Sequence, residues 1–280
     1  MAQSNDTRNL AVFCDFENIA LGVRDARYER FDIGKVLERL LLKGSIVVKK
    51  AYCDWDRYKA FKAPMHEASF EMIEIPHVRQ SGKNSADIRM VVDALDLCYT
   101  KSHVDTFVLI SGDSDFAPLV SKLRENNKQV IGVGVKNSTS DLLINNCDEF
   151  ILYDDLVRNA TPRKGGRKKP PAKVKSGDEK AAKADRSAVK SEEEDRAQEA
   201  MDLILETAEA LYAERGEEDT IWGSMVKQAL KRRRPSFSES YYGFRSFGRL
   251  LEEAQARGLL SLELDEKSGG YIVRAIHGED

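Results

Sequence analysis

Apolar positions along the chain fall into two rhythms. Short apolar-rich runs occur at 10–14, 46–53, 71–75, 106–110, 129–135 and 149–153, the second interrupted by Lys49-Lys50 and the third by Glu74. Each is too short for a core helix and ends at a polar or turn residue, as buried strands do. Between them the apolar spacing lengthens to a helical period. Residues 32–42 predict a helix with Asp32 as N-cap and Gly44 just past its end. Further helices are predicted over 56–69, 85–99, from the fourth strand to about 126, and over 139–146, where Ser138 or Thr139 is the expected cap. Strand and helix in alternation predict an α/β fold, a parallel sheet with helices on both faces. Ligands of such sheets sit beyond the carboxyl ends of the strands.

The rhythm stops after about 158. Residues 161–190 carry eleven Lys/Arg against three Asp/Glu, with Pro, Gly and Ala and no aromatic residue. Such a segment buries too little surface to fold by itself and attracts polyanions. It is expected to be a flexible basic linker, 159–196, between a first domain, 1–158, and a second, 197–280. The second domain opens with an amphipathic helix over 197–214, where Met201, Ile204, Leu205, Ala208, Leu211 and Tyr212 share a face. Two more helices follow, then two short strands joined by a Gly-rich turn. That order is winged-helix-like.

At 280 residues and a net charge of -3 the chain has room for both domains. The +8 of residues 161–190 leaves -11 on everything else. No apolar run approaches the ~18 residues of a membrane span, and MAQSNDTRNL lacks the segments of a signal peptide. No membrane and a cytoplasmic location are expected. Cys14, Cys53, Cys98 and Cys147 lie in or beside apolar segments, with no zinc-like spacing, and are expected to be buried thiols.

The chemistry concentrates where strands end. The run 107–110 stops at Ser111-Gly112-Asp113-Ser114-Asp115, and the run 10–14 stops at Asp15. If those two strands are neighbours, their acids enter one crevice. On a helical wheel Asp87 is centred on the apolar stripe of SADIRMVVDALDLCYT, while Asp93 is on the opposite face. A carboxylate on a buried stripe is costly unless paired or bound to a metal. Asp15, Asp87, Asp113 and Asp115 are therefore candidate metal ligands and catalytic residues. Carboxylate oxygens with no His or Cys suit Mg²⁺ or Mn²⁺. Asn18 is a further catalytic candidate, through an amide that could hold a water or phosphate oxygen. Ser111 could bind a ligand or orient Asp113, and Lys83 could meet a phosphate.

DFEN at 15–18, KNSAD ending in Asp87, and SGDSDF at 111–116 resemble the NYN domain, a branch of the PIN-like ribonucleases that includes LabA-like bacterial proteins. The resemblance covers about 10–157. It implies a PIN-like sheet and an Mg²⁺- or Mn²⁺-dependent endoribonuclease acting at Asp15, Asn18, Asp87, Asp113 and Asp115, more weakly at Ser111 and Asp93. Relatives often read Lys-Gly-x-Asp on the approach loop, whereas Lys83 here is followed by Asn84-Ser85-Ala86. The second domain resembles the OST-HTH or LOTUS module in Gly223-Ser224, Pro235-Ser-Phe237, Tyr242-Gly243 and Gly270-Tyr271-Ile-Val273. That resemblance implies binding of RNA, single-stranded above all, or of a protein partner. Lys231, Arg232, Arg233 and Arg234 are then candidate phosphate contacts. Two other readings remain open on sequence: a haloacid-dehalogenase-type phosphatase with Asp15 as nucleophile and Glu17 as second acid, and a non-catalytic RNA-binding regulator.

Overall fold

The computed structural model describes residues 8–75, 85–159, 179–215, 220–266 and 268–276. Two compact units divide the chain, Met1–Thr161 and Pro162–Asp280.

The first unit is built on six strands: β1 (Asn9–Asp15), β2 (Ser45–Cys53), β3 (Glu71–Glu74), β4 (Thr106–Ile110), β5 (Gln129–Gly134) and β6 (Glu149–Leu152). All neighbours are parallel, in the order β3-β2-β1-β4-β5-β6. Seven helices connect and flank them: α1 (Phe16–Asp25), α2 (Ile33–Leu41), α3 (Lys59–Glu67), α4 (Ser85–Thr100), α5 (Ala117–Glu125), α6 (Asp141–Asn146) and α7 (Tyr153–Asn159). Successive residues of β1 serve opposite faces, as the pleat requires. Leu10, Val12 and Cys14 pack with α1, α2 and α3 through Ile19, Val36, Leu40 and Met65. Ala11 and Phe13 pack with α4, α5 and α6 through Met90, Ala94, Val120 and Leu143. Both faces being covered, the central strands are apolar throughout.

Asp32 caps α2 as expected, accepting from the Gly34 N–H at 3.0 Å. The cap of α6 is Ser140, not Ser138 or Thr139. Those two hydroxyls are engaged instead as donors to the Val135 carbonyl, at 3.4 and 2.7 Å. The run 149–153 is strand only to Leu152; Tyr153 opens α7, an element with no periodic signature of its own. All four cysteines are buried and free.

In the second unit α8 (Glu179–Arg215) begins inside the stretch expected to be an unstructured linker. The Pro and Gly residues end at Gly177, and the Ala-, Glu- and Lys-rich sequence beyond it has high intrinsic helix propensity. Then come β7 (Ile221–Trp222), α9 (Gly223–Arg233), α10 (Phe247–Ala256), β8 (Leu260–Leu264) and β9 (Tyr271–Ile276). The strands form an antiparallel sheet, β7-β9-β8. Met201, Ile204, Ala208, Val226, Leu230, Leu250 and Val273 close one core between helices and sheet, a winged-helix-like arrangement.

Candidate active site

β1 and β4 are adjacent, with Cys14 opposite Ile110. Strand order reverses there, so their carboxyl ends open the crevice at the middle of the sheet. Asp15 closes β1 and caps α1. Its Oδ1 accepts from the Asn18 N–H at 3.3 Å. Its Oδ2 accepts from Ser111 Oγ at 3.0 Å. The same hydroxyl oxygen accepts from the Asp113 N–H at 3.2 Å. One buried serine thus joins the acid of the first strand to the loop of the fourth. Asn18 makes the second tie, its Oδ1 accepting from the Gly112 N–H at 2.9 Å.

Asp113 caps a 3-10 turn, Ser114–Phe116, and accepts from the Asp115 N–H at 3.0 Å. Gly112 is pressed against the segment before α6. A Cβ there would stand 2.4 Å from the Ser138 carbonyl oxygen, and the Gly112 carbonyl accepts from the Ser140 N–H at 2.9 Å. The glycine is needed for close approach, and it fixes the position of the acids that follow it.

The electrostatics are those of carboxylates that raise one another's proton affinity. Asp15 is 6% exposed. Its pKa is raised to about 7, first by burial, then by Asp87, with Asp113 adding and the Asn18 and Ser111 hydrogen bonds opposing. Asp87, half-buried in the first turn of α4, is raised to about 6 by burial and by the charges of Asp113, Asp115 and Glu17. Among the described residues no Lys or Arg is paired with Asp15, Asp87, Asp113 or Asp115. Equally, among the described residues no three His, Cys, Asp or Glu are gathered closely enough to hold a metal ion.

What links the four acids is charge: Asp15 feels Asp87 and Asp113, and Asp87 feels Asp113 and Asp115. Some expectations need correction. Ser111 is fully buried, so it orients Asp15 and Asp113 and cannot meet RNA. The Asn18 carbonyl oxygen is tied to the Gly112 N–H, so that half of the amide holds the loop and the NH2 is the half that would meet a water or phosphate oxygen. Asp93, expected to be solvated or salt-bridged on the face opposite Asp87, is salt-bridged there by Lys50 and Arg89. Its side chain is 12% exposed and lies among Lys50, Tyr52 and Arg89, because α4 leans that side on β2. Lys83 lies outside the described residues. Lys231, Arg232, Arg233 and Arg234 belong to the second unit, at the end of α9; Arg233 is ion-paired with Glu206. Two rim residues have no sequence signal as a pair: Glu17 and Arg57 form an ion pair at 3.1 Å, from segments 40 residues apart. Only the adjacency of β1 and β2 brings them together.

Residues 9–154 match the family described as NYN domain. The chain is 27% identical over 154 residues to "Meiosis regulator and mRNA stability factor 1" of Xenopus tropicalis, an alignment covering 55% of this chain and 9% of that protein. The Bos taurus protein of the same name is 26% identical, with the same coverage. An uncharacterized protein of Methanocaldococcus jannaschii is 30% identical over 120 residues, covering 43% of this chain and 47% of that one. The chain thus spans less than half the length of these relatives. A solved structure of a protein of unknown function from Vibrio parahaemolyticus is 28% identical, with a TM-score of 0.49, covering 55% of this chain and 98% of that chain.

Proposed function

The chain belongs to the NYN domain family, and on that premise we propose that it is a metal-dependent endoribonuclease with an appended RNA-binding module. NYN domains are PIN-like nucleases, and the relatives named for mRNA stability favour RNA over other phosphodiesters. The observation that carries the reading is electrostatic: the charges of Asp87 and Asp113 raise Asp15, and that of Asp113 raises Asp87, with no cation paired to them among the described residues. Carboxylates forced together without compensation are expensive. A divalent ion offsets that cost.

The donor set fits Mg²⁺ or Mn²⁺. Every candidate atom is a carboxylate oxygen, and neither His nor Cys is among them. Mg²⁺ keeps several waters and takes one or two carboxylates plus substrate phosphate. Asp87 and Asp113, with Asp15 behind them, would hold the ion. When bound, it supplies charge neutralisation at the phosphate and a more acidic water. The chain does the rest. Ser111 and Asn18 lock the two strand ends at fixed separation. Asp115, exposed on the 3-10 turn, offers a base at the rim. Arg57, held by Glu17, offers a cation for the RNA backbone beside the cleft.

The phosphatase reading asks Asp15 to attack as a nucleophile. Both its oxygens are hydrogen-bonded, and it is nearly fully buried. We therefore set that reading aside. For the second unit we propose a LOTUS-type module that captures RNA through the basic end of α9, where Arg232 and Arg234 are exposed. Among the described residues no helix is long and apolar enough to cross a membrane.

The test is incubation of the full chain with end-labelled single-stranded RNA and DNA, with and without Mn²⁺, beside Asp113→Asn. Mn²⁺-dependent cutting of RNA that vanishes in the variant is the expected result. Binding without cutting under every condition would leave a non-catalytic RNA-binding regulator instead.

A further inference from the structure

Asp93 follows Asp87 along α4 and is bound more tightly than any other carboxylate near the cleft. Its Oδ2 accepts from Tyr52 Oη at 2.9 Å and lies 3.5 Å from Lys50 Nζ; its Oδ1 accepts from Arg89 Nε at 3.1 Å. Tyr52 is 1% exposed and is paired in register with Asp15. The brace therefore anchors α4 to the sheet at the level of the acid that ends β1.

The fully buried stripe of α4 is narrow, with Ala86, Val91, Leu95 and Leu97 only partly buried beside it. Its buried residues are Met90, Ala94 and Cys98, two of them small. Its outer side shows Ile88 at 63%, Val92 at 54% and Tyr99 at 67% exposure, so nothing among the described residues clamps it from above. A roll of about 20° carries a carboxylate roughly 6 Å off the helix axis through about 2 Å. A misplacement of ~1 Å already costs about a hundredfold in a catalytic constellation.

We infer that Asp93 is a positioning residue: with Tyr52, Lys50 and Arg89 it sets the rotation of α4 that turns Asp87 toward Asp15 and Asp113. This rests on the nuclease reading, because it is the ion and the RNA that make the placement of Asp87 matter. Asp93 itself touches neither.

The experiment compares wild type, Tyr52→Phe, Asp93→Asn, Asp87→Asn and Asp87→Asn/Asp93→Asn. Mn²⁺ binding is measured by calorimetry without RNA, and kcat and KM on a short RNA separately. Tyr52→Phe removes one hydroxyl and serves as the mild variant should Asp93→Asn fold poorly. The expected result is a loss of about 10–100-fold in Mn²⁺ affinity or kcat for the brace variants, with KM unchanged. Adding Asp93→Asn to Asp87→Asn should then change Mn²⁺ affinity no further, because the brace acts through Asp87. A wild type that binds no Mn²⁺ and cuts no RNA brings down the nuclease reading and this inference with it. An active wild type, with folded brace variants matching it in Mn²⁺ affinity and kcat, overturns the inference alone. So does an equal further loss in the Asp87→Asn background, which would mark Asp93 as merely structural.

Discussion

Asp15 gives up its proton with difficulty, and that reluctance is measurable as stability. In an unfolded chain the carboxyl ionises near its ordinary value of 3.8; in the fold it is held to about 7. Below pH 4 both states are protonated and the residue contributes nothing. Between pH 4 and 7 the unfolded chain ionises while the folded one keeps its proton. Folding is then penalised by at most about 1.4 kcal/mol per pH unit for one group. The metal-free melting temperature of Asp15→Asn should therefore match wild type near pH 4, exceed it increasingly toward pH 7, and level off above. Calorimetry across that range checks it; a constant difference would mean the shift is not carried by Asp15. Saturating Mn²⁺ should shrink the gap at pH 7, since the ion stabilises only the ionised wild type. Asp113→Asn and Asp15→Asn should each abolish cleavage while folding normally, and wild-type rates in either purified variant would refute the assignment of the site. Ser111→Ala leaves Asp15 Oδ2 and the Asp113 N–H without their shared partner and should cost about 1–3 kcal/mol, read from denaturant unfolding.

Among the elements, the turn between β4 and α5 is the least forgiving. It is locked against the segment before α6 by Gly112, so Gly112→Ala should destabilise the fold by about 1–3 kcal/mol, seen as a lower denaturation midpoint, and shift Asp113. The same turn shows why the site is legible in the sequence and where legibility ends. Strands β1 and β4 announce themselves as apolar runs ending in acids, and Asp87 stands out on a wheel because burial of charge is costly. Helix α1 is not among the helices that periodicity predicts, since its core positions Phe16, Ile19 and Val23 are interleaved with the motif residues Glu17 and Asn18. A wheel turns Asp93 away from its own apolar stripe but cannot name its partners, since it knows one helix and not its neighbour: Tyr52 and Lys50 arrive from β2, more than forty residues earlier. Ser111 and Asn18 look ligand-facing in the sequence for the same reason. Their partners are set by strand adjacency, which no local pattern encodes.

At the scale of the whole molecule, the proposed nuclease would divide cutting from capture. Residues 1–157 hold twenty Lys/Arg and twenty-four Asp/Glu, so the catalytic unit repels a polyanion, while residues 161–190 carry +8. Removing residues 161–280 should weaken binding of long RNA yet spare the chemical step on saturating short substrate, as filter binding and single-turnover rates would show. Neutralising Lys231, Arg232, Arg233 and Arg234 should flatten the salt dependence of binding, the slope falling by about 0.7 for each phosphate of a single strand that the cluster no longer neutralises. Arg233, paired with Glu206, should contribute least. An unchanged slope would make the cluster a solvated helix end and turn the second unit into a protein-docking module.

The central place of β1 also has a consequence in time. During synthesis it emerges well before its partner on one side, since Asp15 and Ser111 are 96 residues apart. Until β4 follows, β1 and β2 expose an apolar edge that invites other chains. Closure of so long a loop precedes the parallel pairing that rewards it, and such pairing is slow. Refolding from denaturant should accordingly take milliseconds to seconds rather than microseconds, with yield falling as protein concentration rises. The crevice would then be among the last features to form, because both of its walls must be present before Ser111 can reach across.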